Sequence, residues 1–392
     1  MQIHELALQR NKYKHLSDDE WRWFLQQVEG RERTADKLPT FAAMDDWWYP
    51  VRLSCEQCSS ELTARYKAQL VSSLCGEARR GLDLTGGYGV DTYFLSEQCA
   101  HTDYVEQNAE LCRIAAHNFA NKPITVHNTT AEEFLNQIVN RQSEYDLIFL
   151  DPARRDAHGG KVFRLEDCTP NVIELFPSLL QHLTPDGRLL LKLSPMLDIT
   201  QALKALPAAF DVHVVAVKNE VKEVLLLSHQ HSAVSIQTIT AIDLTEPEKA
   251  FVFRREEESL STINFPTSFN FQLSSFNYLY EPSASILKAG AYKLVALRYG
   301  LQKLDVNTHL YASDTLIENF PGRVWKIKEI INHKSSIINE NVNVLVRNYP
   351  LTPDQLKKKL HLRDGGTAFV IGCRVAGKPV LFYAERVHST SM

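Results

Sequence analysis

The segment at residues 81–91, Gly-Leu-Asp-Leu-Thr-Gly-Gly-Tyr-Gly-Val-Asp, constrains the fold more than any other part of this chain. Leu82 and Leu84 predict a buried strand, and the three glycines that follow predict a turn that opens a helix. Glycine adopts positive φ and allows close approach to the backbone, and the first turn of a helix presents unpaired N–H groups. The pattern therefore predicts a ligand-binding loop, although a tight turn without a ligand produces the same pattern.

Two predicted strands that end in carboxylates follow this loop. Residues 102–106 predict a short strand ending at Glu106, and residues 145–150 predict a buried strand followed by Asp151 and Pro152. A carboxylate at a strand end accepts hydrogen bonds from two neighbouring hydroxyls. A dinucleotide-binding fingerprint requires a third glycine where Thr92 stands. The order of these features favours a nucleotide-like ligand and argues against a dehydrogenase.

From Arg79 to about residue 230 predicted strands and helices alternate, which indicates an α/β fold with a mostly parallel sheet. Residues 212–217 and 221–227 form a further pair of predicted strands, and the link between them is too short for a crossover helix. We therefore predict a seven-stranded Rossmann-like sheet that ends in an antiparallel hairpin. The other predicted strands are 81–85, 102–106, 124–128, 146–150 and 188–194, and the predicted helices are 108–119, 131–139 and 171–183.

Composition and charge restrict where such a chain works. The net charge of −4 gives no global attraction to nucleic acid, so any basic surface must be local. No apolar run approaches the length of a membrane span, the first residues are unlike a signal peptide, and the seven cysteines are scattered. These features predict a cytoplasmic protein with reduced thiols. Cys55 and Cys58 form a lone CxxC, so we expect structural cysteines and no metal.

The remaining segments predict smaller units on either side. Residues 1–75 predict a helical region, with a capping box at Ser17 and a second helix at 59–70. The aromatic residues at 46–50 either line a pocket or pack on the neighbouring domain, and packing is commoner. Beyond residue 230 we predict β-rich segments at 235–244 and 249–255, a linker at 261–277, a helix at 284–300, a strand at 308–312, and from Gly322 a βαββ-like tail whose helix starts after Thr352.

The glycine segment closely resembles the first motif of class I S-adenosylmethionine-dependent methyltransferases. In that family the loop packs against the methionine part of the cofactor, and an acid placed like Glu106 accepts both ribose hydroxyls. Thr130, at the end of the third predicted strand, is a further candidate for contact with the adenine edge. The resemblance implies that S-adenosylmethionine is bound by Asp83, Thr85, Gly86, Gly87, Gly89, Asp91, Glu106 and Thr130.

The whole chain resembles a family of bacterial class I methyltransferases, common in Bacteroidetes, that carry a ferredoxin-like domain and a C-terminal THUMP-like domain. The segments that carry this resemblance are residues 83–91, 151–156, 192–198, 280–290 and 346–350. It implies a helical region at 1–75, a methyltransferase domain at 76–275, a ferredoxin-like domain at 276–319 and a THUMP-like domain at 320–392. THUMP domains in other enzymes bind RNA, so the implied substrate, by analogy, is a tRNA or rRNA base.

Asp151-Pro152-Ala153-Arg154 stands where amino-methylating enzymes have Asp/Asn-Pro-Pro-Tyr/Phe. There the acid and a proline carbonyl accept hydrogen bonds from an amine and orient its lone pair toward the methyl group. The resemblance makes Asp151, Pro152 and Arg154 the candidate catalytic residues. Ala153 and Arg154 depart from the motif, so N-methylation is not specifically predicted, although Arg can stack on a base or bind phosphate. Alternatively, Asp151 only caps the next turn.

Several roles stay open at this stage. Covalent catalysis needs a cysteine near the fifth strand, and Cys168 precedes that strand, so we expect direct methyl transfer. Lys192 is either an ordinary strand residue with an exposed ammonium or a substrate contact, and Asp198 is either a helix N-cap or a substrate contact. The lysines at 357–359 form a solvated helix face or, with Arg323, Lys326, Lys328 and Arg347, an RNA-binding patch.

Two other functions fit the same sequence. One is a non-catalytic RNA-binding protein that retains a vestigial methyltransferase fold, which the departures at Ala153 and Arg154 favour. The other is a methyltransferase acting on a small molecule or a protein.

Overall fold

The computed structural model describes residues 6–75, 80–140, 144–153, 165–229, 237–265, 276–331 and 340–387. The chain forms two compact units. The first unit comprises Met1–Asp211 and Val224–Ser235, and the second comprises Val212–Glu223 and Ile236–Met392.

The first unit begins with helices, as predicted. The capping box at Ser17 is confirmed, because its hydroxyl accepts from the Glu20 N–H while the Glu20 carboxylate accepts from the Ser17 N–H. The α-helices between residues 18 and 75 are α1 (Asp18–Thr34), α2 (Pro39–Ala42), α3 (Arg52–Gln57) and α4 (Glu61–Cys75).

The aromatic cluster that follows α2 packs beneath the glycine loop. Trp47 is buried, its ring stacks on Phe41 with centroids 4.0 Å apart, and its indole N–H donates to the Tyr88 hydroxyl at 2.8 Å. Trp48 stacks on His117 at 3.8 Å. The packing interpretation of these aromatics is therefore confirmed.

Strands and helices then alternate, which confirms the α/β class. Strands β1 to β5 pair in parallel in the order β3-β2-β1-β4-β5. The order reverses between β1 and β4, and ligands of such sheets bind at the carboxyl ends of the strands beside that reversal. The elements are β1 (Arg80–Asp83), α5 (Val90–Leu95), β2 (His101–Glu106), α6 (Ala109–Asn118), β3 (Ile124–Asn128), α7 (Ala131–Gln137), β4 (Tyr145–Leu150), α8 (Val172–His182), β5 (Leu183–Leu193) and α9 (Ile199–Ala205).

The predicted hairpin is present, formed by β6 (Ala209–Val217) and β7 (Glu220–His229), but it does not end the sheet. Lys218 and Asn219 join the two strands with φ of 52° and 61°, which fits a type I′ turn. Strand β7 pairs antiparallel with β5.

Two more strands extend the sheet beyond the hairpin. Strand β6 pairs in parallel with β8 (Thr238–Asp243), and β8 pairs antiparallel with β9 (Phe251–Arg254). The sheet thus has nine strands in the order β3-β2-β1-β4-β5-β7-β6-β8-β9, and the prediction of seven strands with the hairpin at the edge is wrong. Consecutive apolar residues of β6, such as Val214 and Val215, are fully buried, as expected for an internal strand.

The second unit also contains a seven-stranded sheet, in the order β11-β12-β10-β13-β16-β15-β14. Its core is built around the fully buried Trp325. The remaining elements are α10 (Arg255–Leu260), β10 (Tyr278–Pro282), α11 (Ala284–Ala289), α12 (Tyr292–Tyr299), β11 (Gln302–Lys303), β12 (Tyr311–Ser313), β13 (Gly322–Ile330), β14 (Asn343–Arg347), α13 (Pro353–Leu360), β15 (Ala368–Val375) and β16 (Lys378–Val387).

Three expectations for this unit have different outcomes. The helix after Thr352 is confirmed, and its capping hydroxyl accepts from the Gln355 N–H. The single helix predicted at 284–300 is wrong, because Gly290 adopts φ of +83° and separates α11 from α12. The βαββ-like tail has an additional strand, β14, which precedes α13 and pairs in parallel with β15. Of the predicted linker, residues 266–275 lie outside the described residues.

Two further findings concern the described part of the chain. None of its helices is long and apolar enough to cross a membrane. Within the same residues, no cluster of three or more His, Cys, Asp or Glu side chains is arranged to hold a metal ion.

Candidate active site

A cavity of about 750 Å³ lies in the first unit, where β1, β2 and β4 end. It brings together residues that are far apart in the sequence. The predicted site residues that line it are Asp83, Thr85, Gly86, Gly87, Gly89, Asp91, Glu106, Thr130, Asp151 and Pro152. Arg154, the remaining candidate, lies outside the described residues.

The glycine loop after β1 forms one wall of this cavity. A Cβ at Gly86 would lie 2.1 Å from a carbon of the Tyr104 ring, so only glycine fits there. Gly87 has φ of +55°, and a Cβ on it would meet only the Thr85 carbonyl oxygen, at 3.8 Å. Gly87 thus leaves open space beside the backbone at the cavity wall, which suits a ligand that approaches closely. Gly89, with φ of +83°, is the N-cap of α5.

The Glu106 carboxylate is oriented by backbone N–H groups at the end of β2. Its Oε2 accepts from the Gly87 N–H at 2.9 Å, and its Oε1 accepts from the Asn108 N–H at 2.8 Å. Each carboxylate oxygen keeps a further lone pair for a ligand donor. Thr130 also lines the cavity, but its hydroxyl caps α7 by accepting from the Glu133 N–H at 3.2 Å.

Asp83 is buried at the end of β1. Its carboxylate accepts hydrogen bonds from the Thr92 hydroxyl at 2.5 Å and from the Thr85 N–H at 2.9 Å. Burial raises the pKa of Asp83 to about 7, and the negative charges of Asp91 and Asp151 act in the same direction. Asp83 therefore changes its charge near neutral pH. The Thr85 hydroxyl in turn accepts from the Asp151 N–H at 2.7 Å and connects the glycine loop to the end of β4.

Four side chains of alternating charge lie in a row at the cavity, and three of them line it. We call these residues the charge ladder: Lys67, Asp91, Lys192 and Asp151. The Lys67 ammonium lies 3.1 Å from Asp91 Oδ1, and the Lys192 ammonium lies 3.4 Å from Asp91 Oδ2 and 2.6 Å from Asp151 Oδ2. Burial alone would raise the pKa of Asp91, but the two ammonium groups hold it below its usual value. The ladder thus keeps Asp91 ionised.

The structure shows the contacts of two residues whose roles the sequence leaves open. Lys192 does not project into solvent from an ordinary strand position, because its ammonium joins two carboxylates of the cavity. Asp198 is the N-cap of α9, where its Oδ1 accepts from the Gln201 N–H at 3.0 Å, and it is not among the described residues that line the cavity. As for Asp151, its carboxylate is held by Lys192; no backbone N–H of a described residue donates to it.

Sequence reasoning missed the contribution of the N-terminal helices. Ser59, just before α4, donates to Asp91 Oδ2 at 2.7 Å, and Lys67 within α4 is fully buried. Ser54 and Cys58 line the cavity. No local signal marks these residues, because each meets partners that are distant in the sequence.

The cysteines do not form a reactive centre in the described structure. Burial raises the pKa of Cys55 to about 12 and also raises that of Cys58, so both remain thiols at neutral pH. Neither is in a disulfide. Cys168 is buried, and among the described residues it is not one that lines the cavity.

The basic residues predicted as an RNA-binding patch in the second unit are mostly paired. Arg323 and Arg347 both pair with the buried Glu281. Lys328 pairs with Glu385 at 2.8 Å. Lys357 pairs with Asp364 at 2.6 Å. Among the described residues, no acid pairs with the exposed Lys326, Lys358 or Lys359.

Comparison with known proteins identifies the family. A protein-family model of a ferredoxin-like domain matches residues 278–321, and a second family model, described as THUMP domain-like, matches residues 322–386. The crystal structure of a putative methyltransferase from Porphyromonas gingivalis W83 is 33% identical, with 95% of this chain and 92% of that chain covered and a TM-score of 0.81. The fold is that of the methyltransferase class. The chain belongs to the family of that protein, in which the methyltransferase fold is combined with ferredoxin-like and THUMP-like domains.

More distant structures match only part of the chain. A SAM-dependent methyltransferase from Agrobacterium tumefaciens is 19% identical over 43% of this chain and 60% of that chain, with a TM-score of 0.32. An rRNA methylase from Streptococcus thermophilus is 11% identical over 43% of this chain and 95% of that chain, with a TM-score of 0.33. No curated protein matches the chain.

Proposed function

We propose that the protein is an S-adenosylmethionine-dependent methyltransferase that transfers the methyl group directly to a tRNA or rRNA base. The observation that carries this proposal is the cavity that the glycine loop, Glu106 and Asp151 share. A cofactor held at the loop and at Glu106 would have its reactive end beside a carboxylate at the neighbouring strand end.

The residues of the cavity fit this cofactor. The open wall at Gly87 accommodates the methionine part, and the carboxylate of Glu106 retains acceptor capacity for two ribose hydroxyls. The buried Asp91 carboxylate is ionised near a cationic ligand, and the buried Asp83 adds negative charge where it ionises near neutral pH. Thr130 would contact the adenine edge through its backbone or methyl group, because its hydroxyl caps α7.

When bound, S-adenosylmethionine supplies an electrophilic methyl group. Asp151 and the carbonyl of Pro152 would accept hydrogen bonds from the acceptor group and orient its lone pair. Arg154 would contact a base or a phosphate, a role that comes from the sequence alone.

The match of residues 322–386 to a THUMP-like domain supports RNA as the substrate class. We propose the domain boundaries expected from the sequence: 1–75, 76–275, 276–319 and 320–392. In this arrangement the C-terminal domains capture substrate and the domain at 76–275 carries out methyl transfer.

Calorimetry with S-adenosylhomocysteine tests the cofactor. We expect the wild-type protein to bind it, and Glu106→Ala to weaken binding by at least about tenfold, because two charge-assisted hydrogen bonds are lost. Glu110→Ala is the matched control, since that exposed carboxylate pairs with Arg113. A folded protein that does not bind, or equal binding by both variants, would contradict the proposal.

A labelling experiment tests the acceptor. The protein and tritiated S-adenosylmethionine are incubated with total RNA, protein and small-molecule fractions of a strain that lacks this protein. We expect label in RNA. Label in another fraction indicates a small-molecule or protein methyltransferase, and cofactor binding without any label favours the non-catalytic alternative.

A further inference from the structure

The ammonium of Lys192 donates a hydrogen bond to one of the two oxygens of the Asp151 carboxylate. Its Nζ lies 2.6 Å from Asp151 Oδ2, while none of the described residues donates a hydrogen bond to Oδ1. The Asp151 side chain is 40% exposed and lines the cavity. Within the described part of the chain, Oδ1 is thus the carboxylate oxygen without a donor, and Lys192 helps to fix its orientation.

Lys192 is itself held from the N-terminal helices. The Ser59 hydroxyl lies 3.0 Å from Lys192 Nζ and also donates to Asp91 at 2.7 Å. Lys67, fully buried in α4, contacts the other oxygen of Asp91. Buried charges are costly unless they are paired, and here each carboxylate of the charge ladder has an ammonium partner. Removing one ammonium leaves an unbalanced negative charge at the cavity.

We propose that Lys192 is a positioning residue that holds Asp151 with Oδ1 toward the methyl acceptor. In this proposal Ser59, just before α4, and Lys67 of α4, which acts through Asp91, hold Lys192 in place. This inference rests on the proposed function. It makes the N-terminal helical region part of the active site. Lys67 contributes through its contact with Asp91 and does not itself line the cavity.

Two cofactor analogues separate this role from a merely structural one. S-adenosylhomocysteine has a neutral thioether sulfur and no group at the position of the transferred methyl group, whereas sinefungin has an amine at that position that is protonated at neutral pH. Both share the adenosine and amino acid parts. A loss of stability or of shape weakens both analogues alike, but a change of charge beside Asp151 alters the ratio of their dissociation constants.

Calorimetry at pH of about 8 measures that ratio for wild type and variants. We expect Lys192→Met to strengthen the binding of sinefungin relative to that of S-adenosylhomocysteine by about tenfold. Lys67→Met should do so by a smaller factor, because each substitution leaves an extra negative charge. Lys192→Arg keeps the charge and should stay within about twofold of wild type. If Lys192→Met does not fold, Lys67→Met decides, because there Asp91 keeps Lys192 and Ser59 as partners.

A double-mutant cycle with Asp151→Asn tests whether Lys192 acts through Asp151. We expect Lys192→Met to change the ratio less in the Asp151→Asn background than in wild type. Additive effects would overturn the positioning role, as would an unchanged ratio in folded Lys192→Met and Lys67→Met. Failure of wild type to bind S-adenosylhomocysteine would instead reject the proposed function.

Discussion

Two buried carboxylates, one from each unit, each lie between two cationic side chains. They differ in what those cations contact next. In the first unit Asp91 lies between Lys67 and Lys192, and in the second unit Glu281 lies between two arginines. The cluster at Asp91 continues through Lys192 to Asp151, whose carboxylate reaches a large cavity.

The cluster at Glu281 does not continue to a second acid through its arginines, as far as the described residues show. The Arg323 guanidinium lies 5.6 Å from the centroid of the Trp325 ring, and Arg347 donates to the Val346 carbonyl at 2.8 Å. A buried ion pair alone therefore does not distinguish the proposed site from the rest of the protein. The proposed site is marked by a pair that leads to a cavity and has an acceptor atom there to which no described residue donates.

The largest effects are expected from neutralising each carboxylate in turn. Asp91→Asn and Glu281→Gln should each lower the free energy of unfolding by about 3 kcal/mol, since each removes a buried carboxylate that balances two cations. The loss at Asp91 should be the larger, because Lys67 and Lys192 are 0% and 12% exposed while Arg323 and Arg347 are 28% and 35% exposed. Urea unfolding measures both.

Ligand binding should separate these two variants. We expect Asp91→Asn to weaken S-adenosylhomocysteine and Glu281→Gln to bind it like wild type. Glu385→Ala is the control for a surface pair and should cost less than about 1 kcal/mol. If folded Glu281→Gln loses S-adenosylhomocysteine binding, the distinction between the two clusters is wrong.

The pH dependence of stability sharpens the contrast between Asp83 and Asp91. The pKa of Asp83 is about 7 in the folded protein against 3.8 for an unperturbed aspartate. Between these values the unfolded chain loses the proton while the folded protein keeps it, so the free energy of unfolding falls as pH rises. The total fall is about 4 kcal/mol, at 1.36 kcal/mol per pKa unit.

Asp83→Asn should lack this fall. Urea unfolding of wild type and Asp83→Asn at several pH values between about 4 and 7.5 gives the difference directly. The lowered pKa of Asp91 contributes stability that is lost at lower pH, and it is present in both proteins. Parallel curves for the two proteins would show that Asp83 is ionised throughout.

Much of the first unit was predictable because its signals are local. The strand and helix periodicities between residues 80 and 205, the glycine loop and the two carboxylates at strand ends all depend on neighbouring residues. The extent of the sheet was not predictable in this way. Whether β6 forms an edge or pairs with β8 depends on a partner strand that follows the hairpin.

The charge pairs were not predictable for the same reason. Lys192 meets Asp151 and Ser59 across 41 and 133 residues of sequence, and Arg347 meets Glu281 across 66. The sequence shows clustered basic residues but not the acids that neutralise them. As a result the sequence does not show which basic residues of the possible RNA-binding patch are already paired, and it leaves the role of Lys192 open.

The glycine loop offers a comparison within one turn. Gly86→Ala should lower the free energy of unfolding by about 2 kcal/mol, because the methyl group would collide with the Tyr104 ring. Gly87→Ala should cost only about 1 kcal/mol for its positive φ, since its methyl group would project into open space. Gly87→Ala should nevertheless weaken S-adenosylhomocysteine, which calorimetry measures. Unchanged affinity would mean that the ligand does not approach this wall.

The smallest effect is expected at the lysines of α13, and it tests which basic residues of the second unit remain available to RNA. Lys358 and Lys359 are exposed, and no acid among the described residues pairs with them, whereas Lys357 pairs with Asp364. Each phosphate contact to single-stranded RNA contributes about 0.7 to the magnitude of the slope of log affinity against log salt.

Replacing both exposed lysines, Lys358→Gln with Lys359→Gln, should therefore reduce the magnitude of this slope by up to about 1.4. Lys357→Gln is the matched control and should change it less, because that ammonium already has a carboxylate partner. Fluorescence anisotropy with labelled RNA over a series of salt concentrations gives both slopes. Equal slopes for wild type and the double variant would leave this helix face as solvated surface, and an equal effect of Lys357→Gln would show that pairing does not decide which lysines bind RNA.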